Sequence, residues 1–150
     1  VLSGLIISIT LCMYLVAGLD HRWRWSPILS TASHLASISL FLLGCALDLW
    51  AMRANRFFST AVWIQFEREH AVCSSGPYRY VRHPGYLGMI IYNLATPLFL
   101  GSLWAMMPAM MIVGLFVIRI GLEEKVLLRK LPGYGQYAAR IRYRLLPRIW

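Results

Sequence analysis

Two short stretches carry most of the residues that could do chemistry. The first is Arg82-His83-Pro84-Gly85-Tyr86, preceded by Gly76-Pro77-Tyr78. The second is Arg119-Ile-Gly-Leu-Glu123-Glu124. Pro84 can open a helix at its first turn and restrains His83 to an extended backbone. The N–H groups of that turn then form an anion site. Gly85 lets another group approach the backbone. Tyr78 and Tyr86 offer aromatic faces to a flat base or a cation. Arg119 and Glu123, four apart, share a helix face. The bland reading is an exposed ion pair worth a few tenths of a kcal/mol. However, charges at the end of an apolar run are costly unless paired or facing a polar cavity. Two adjacent carboxylates suit ribose hydroxyls or an ammonium. Tyr80 and Arg79 read only as interfacial anchors.

The elements that must position these residues are apolar. Hydrophobic residues make up 59% of 150 residues, yet Lys+Arg number 15 against 6 Asp+Glu, a net charge of +9. A soluble nucleic-acid binder can be that basic, but it does not also contain long uncharged apolar runs. Charge and hydropathy together indicate an all-α integral membrane protein with basic surface segments and no nucleic-acid partner. The chain reads as one domain over 1–150, with about four transmembrane helices at 1–19, 28–52, 85–100 and 103–118. A connector covers 53–84 and a basic amphipathic tail covers 123–150. The first run lacks a cleavage signature and reads as a span.

Between Pro84 and Leu122 the chain is apolar until Arg119. As one helix that length is roughly 58 Å, nearly twice a bilayer core. Gly101-Ser102 is therefore the expected reversal. In the second span His34, Phe41 and Asp48 recur at sevens. They form either a polar seam or two end residues that simply reach water. Pro27 is expected to open that span. Residues 53–74 alternate Phe, Ala and Val with charges and read as an interfacial amphipathic helix. Residues 138–144 read as a basic helix. The connector and tail hold most of the Lys and Arg, so the positive-inside rule places both on the cytoplasmic face, where the two clusters can form one site. Cys12, Cys45 and Cys73 are scattered and suggest neither disulfide nor metal site; no metal is expected, and no obligate protein partner is evident.

The order His70-Ala-Val-Cys73, Gly76-Pro-Tyr78, Arg82-His-Pro-Gly-Tyr-Leu-Gly88, two spans, then Arg119-x-x-x-Glu123-Glu124 resembles the isoprenylcysteine carboxyl methyltransferase family. That family lies in a wider group with phospholipid N-methyltransferases. LPGYGQY (131–137) and the RxRxRLLP ending (140–147) resemble the tails of its prokaryotic members. The resemblance implies a membrane enzyme that uses S-adenosylmethionine to methylate a lipophilic acceptor, whose carboxylate, thiol or amine takes the methyl group. It implies that Gln65, His70, Ala71, Val72, Cys73, Tyr78, His83, Pro84, Gly85 and Tyr86 hold the cofactor, joined by Glu123 and Glu124. It also implies that Arg119 faces the acceptor. Glu123 or His83 would serve as base if the acceptor must lose a proton. Two other readings remain open: an NADPH enzyme related to membrane sterol reductases, and a non-enzymatic protein whose basic tail binds anionic lipid. The first fits poorly with so short a chain, and the second requires that Glu123→Gln be tolerated.

Overall fold

The computed structural model describes residues 2–56, 72–147, 149 and 150. These form five α-helices and a short 3₁₀ turn, with no strand among the described residues. The helices are α1 (Leu2–Trp23), α2 (Thr31–Ala54), α3 (Pro84–Phe99), α4 (Met106–Lys130) and α5 (Tyr134–Arg140). The 3₁₀ turn, Gly76–Arg79, precedes α3. Three of the helices, α1, α2 and α4, are long and apolar enough to cross a membrane. With 16 residues, α3 is shorter, about 24 Å. The outward faces of these helices carry Leu11, Leu15, Leu42, Leu43, Met107 and Ile118, all exposed. An apolar surface of this kind belongs in lipid, so the chain is an all-α integral membrane protein.

In space α4 lies between α1 and α3, and α3 packs along α2. Met13 and Ala17 of α1 meet Ala105 and Ala109. Ile90 of α3 meets Ile112, Phe116 and Ile120 of α4. The α2–α3 contact is closest of all, because two glycines face each other. A Cβ on Gly88 would lie 2.6 Å from Gly44 O and 2.7 Å from Asp48 N. Small residues at such crossings let backbones touch where lipid offers no hydrophobic drive.

Gly101, with φ +73°, ends α3 at the expected reversal. Pro97 removes one helical donor from α3, while Thr96 and Asn93 hydroxyl and amide groups donate back to Tyr92 O and Met89 O at 2.7 and 2.8 Å. On this side of the bundle Asp20 is 2% exposed. It accepts from Ser26 N at 2.7 Å and from the Ser26 and Ser102 hydroxyls at 2.5 Å each. The α1–α2 and α3–α4 loops are thereby tied together, beside stacked Trp23 and Trp25.

Several boundaries differ from the sequence expectation. The second helix begins at Thr31, not beside Pro27, because the Ser30 hydroxyl caps it by accepting from Ser33 N at 3.2 Å. A four-residue extension carries α1 to Trp23. The fourth helix runs on through both glutamates to Lys130, about 38 Å in all, so the tail begins later than 123. The last helix is Tyr134–Arg140 and not 138–144, since Gly133 in the left-handed region (φ +81°) starts it early. His34 donates from Nδ1 to Phe99 O at 3.2 Å. Asp48 does not reach water: it is 8% exposed, covered by the α2–α3 crossing. Most of the expected interfacial helix, residues 57–71, lies outside the described residues.

Candidate active site

The opposite side of the bundle gathers the start of α1, the end of α2, the connector, the start of α3, the end of α4 and the tail. Gly76 (φ +56°) turns the chain against α2, where an added Cβ would meet Ala54 Cβ at 2.9 Å. The Cys73 thiol donates to Ala54 O at 3.2 Å. Tyr78 is buried under the tail, and the Tyr137 hydroxyl donates to its carbonyl at 2.8 Å. Burial pushes the Tyr78 hydroxyl up to about 12, so it is neutral and able to donate. Asn55 Nδ2 donates to that hydroxyl at 3.5 Å.

His83 caps α3 with φ −126° and ψ 58°, short of the extended backbone expected before proline. Its N–H is drawn to Arg144 O at 2.9 Å and its ring Nε2 to Glu124 Oε1 at 3.4 Å. These contacts outweigh the local preference. The first helical bond of α3 is Leu87 N to His83 O, and no side chain caps the turn. The Gly85 and Tyr86 N–H groups thus precede the helical ladder, as an anion-binding start requires.

Tyr86 is the hinge between the two clusters. Its hydroxyl donates to Glu123 Oε2 at 2.6 Å and accepts from Arg119 Nε at 2.8 Å. Arg119 lies over the Tyr86 ring, 5.7 Å from its centroid, and is only 6% exposed. Its Nη1 donates to Ser3 Oγ at 3.0 Å. The tyrosine therefore joins the two ends of the expected i,i+4 pair, and Ser3 braces the guanidinium from α1.

Glu124 faces the other way. Arg82 Nε and Arg144 Nε each donate to it at 2.6 Å, one to each oxygen. Arg82 also donates to Ala138 O and Ile141 O. Two backbone bonds, Arg82 N to Tyr143 O and His83 N to Arg144 O, lay the tail beside the connector. Arg144 stacks on the Trp150 ring at 4.9 Å.

The fold thus brings Tyr78, His83, Pro84, Gly85, Tyr86, Arg119, Glu123 and Glu124 to one side, with Val72 and Cys73 at the connector's edge. Gln65, His70 and Ala71 lie outside the described residues. Sequence reasoning named none of Arg82, Arg144, Ser3, Tyr134 or Tyr137 as a site residue. A signal existed for the arginines: a chain with so few acids that places two side by side needs cations to neutralise them. Among the described residues, two buried side-chain polar atoms have no hydrogen-bond partner, Asp48 Oδ1 and the Tyr134 hydroxyl. Buried polar atoms of this kind ask for an explanation. No group of His, Cys, Asp and Glu among the described residues could hold a metal ion.

Comparison with known proteins agrees with the motifs. The model of the isoprenylcysteine carboxyl methyltransferase family matches residues 37–129. A protein-S-isoprenylcysteine O-methyltransferase of Schizosaccharomyces pombe is 30% identical over 71% of this chain and 46% of its own length. Protein-S-isoprenylcysteine O-methyltransferase B of Arabidopsis thaliana is 30% identical over 83% of this chain and 60% of its own. A probable protein-S-isoprenylcysteine O-methyltransferase of Oryza sativa is 28% identical over 62% and 50%. The chain spans about half the length of these relatives. Its family match covers both motif clusters and the two helices between them, and the chain belongs to the isoprenylcysteine carboxyl methyltransferase family.

Proposed function

We propose that this chain transfers a methyl group from S-adenosylmethionine to a carboxylate on a lipophilic acceptor, at the cytoplasmic face of the membrane. The observation that carries this reading is Arg119, buried within the membrane-crossing helix α4 and held in one orientation by Tyr86 and Ser3. A guanidinium is a planar fork matched to a carboxylate. An anionic acceptor needs no base, so orientation and exclusion of water supply most of what the protein contributes. Arg119 does the orienting. Tyr86 keeps its plane fixed and shares a hydrogen bond with Glu123. The acceptor reaches this point from the bilayer along α4, and the methyl donor reaches it from the basic face.

The residues present fit such a donor. When bound, S-adenosylmethionine supplies an activated methyl group on a sulfonium. The uncapped start of α3 suits its carboxylate, and Glu123 suits hydroxyls or an ammonium. Gln65, His70, Ala71, Val72 and Cys73 complete the cofactor side in this reading. Glu124 is assigned to the scaffold instead, because Arg82, His83 and Arg144 already occupy its oxygens. The richly basic connector and tail support the cytoplasmic orientation.

Calorimetry of the purified protein tests the reading. S-adenosylmethionine should bind and NADPH should not; failure of the first overturns the proposal. Arg119→Ala should abolish methyl transfer into a lipid extract while leaving cofactor affinity within about threefold, consistent with loss of acceptor positioning alone.

A further inference from the structure

Tyr134 and Tyr137 sit three residues apart on α5, packed with Leu131 and with Val72 of the connector. Both are 5% exposed. Their rings meet at 5.7 Å. Their hydroxyls fare differently. That of Tyr137 donates to Tyr78 O and ties the tail to the connector. That of Tyr134 has no partner among the described residues, although it is buried. Burial raises its titration, so it stays a neutral donor at physiological pH.

Leaving a buried hydroxyl unsatisfied costs on the order of 1–3 kcal/mol. A phenylalanine would pack equally well against Val72 and Leu131 without that cost. The hydroxyl therefore makes sense when something else accepts its proton. We infer that Tyr134 is a further ligand-binding residue, whose hydroxyl donates to the nucleoside half of the methyl donor. Its surroundings favour that half. The Tyr134 and Tyr137 rings pack with Val72 and Leu131 into an apolar, aromatic cluster, surroundings suited to a base and its ribose. The charged amino-acid half is better served by the α3 start and Glu123. The assignment rests on the methyl-donor reading above.

The test uses the full chain in detergent, with calorimetry against S-adenosylmethionine and S-adenosylhomocysteine and a parallel thermal-unfolding scan. Tyr134→Phe should weaken both ligands roughly 5- to 20-fold, as loss of one buried hydrogen bond does, with an unfolding midpoint equal to or above that of the unaltered protein. Tyr137→Phe should show the opposite pattern, a lowered midpoint, because its hydroxyl has a protein partner. If the unaltered protein binds and Tyr134→Phe binds equally well, this assignment is overturned and the methyl-donor reading stands. A Tyr134→Phe midpoint that falls in step with affinity also overturns it, since the hydroxyl is then structural. If the unaltered protein binds neither ligand, both fall together.

Discussion

Replacing Glu124 by Gln tests the idea that one carboxylate locks the tail to the connector. Glu124 is 3% exposed. Its partner Arg82 has a side chain 9% exposed, whereas that of Arg144 is 36% exposed. Breaking a buried pair leaves an uncompensated charge and costs about 3–5 kcal/mol. The exposed Arg144 adds at most about 1 kcal/mol. Gln keeps one acceptor, and Arg82 keeps Ala138 O and Ile141 O, so the loss should fall near the lower figure, about 3 kcal/mol. It should appear first as local opening, because the Arg82 and His83 amides donate only across the connector–tail seam. Hydrogen exchange at those two amides, read by mass spectrometry in detergent, should speed up by roughly 100-fold, since every 1.4 kcal/mol is a factor of ten. Exchange within α2 should not change. Glu123→Gln is the control, because its contact is Tyr86 and not the seam. Unchanged exchange at residues 82 and 83 in Glu124→Gln, or equal acceleration in both variants, would refute the clamp.

Two further outcomes follow from close contacts. Gly88→Ala places a methyl group against Gly44 O and Asp48 N, backbone atoms that can move only by parting α2 from α3; unfolding in detergent should show a loss of about 3 kcal/mol or more, while Gly114→Ala, with nothing within 4 Å, should be neutral or up to about 1 kcal/mol stabilising. Asp20→Ala removes the acceptor of both loop serines on the far side; it should lower the unfolding midpoint by a few degrees, on the order of 1–3 kcal/mol, while affinity for the methyl donor stays as it was.

The gross arrangement was legible because charges are scarce between Pro84 and Leu122, and the Gly101 reversal is the only way to fit that length to a bilayer. The parity of helices then brings Arg82 and Glu123 to one side. What stayed hidden were contacts between residues far apart in sequence. Tyr86 and Glu123 are joined across a whole hairpin, and nothing in either motif says that the tyrosine stands between Arg119 and Glu123. The α2–α3 contact was equally invisible: Gly44 and Gly88 gain meaning only once they face each other. Helix ends were misplaced where a specific cap decided them, Ser30 for α2 and Gly133 for α5. One of the two readings of Asp48 had it reaching water, because its position near the end of α2 allowed it. The glycine crossing brings α3 over it and denies that exit.

The paired glutamates show how two adjacent residues of one motif come to lie in different surroundings. Adjacent residues on a helix point about 100° apart. Glu123 therefore faces α3 and Tyr86, while Glu124 faces the connector and the returning tail. From sequence the two looked alike, a single acidic patch for a cationic or hydroxylated ligand. In space one is paired with Arg82 and Arg144 and touches the His83 ring, and the other touches a tyrosine hydroxyl shared with Arg119. Arg144, which completes the first arrangement, and Ser3, which braces the second, both lie outside the family match at 37–129. The motif thus places the charged groups, and the flanking segments decide which carboxylate is paired with arginines and which is joined to Tyr86.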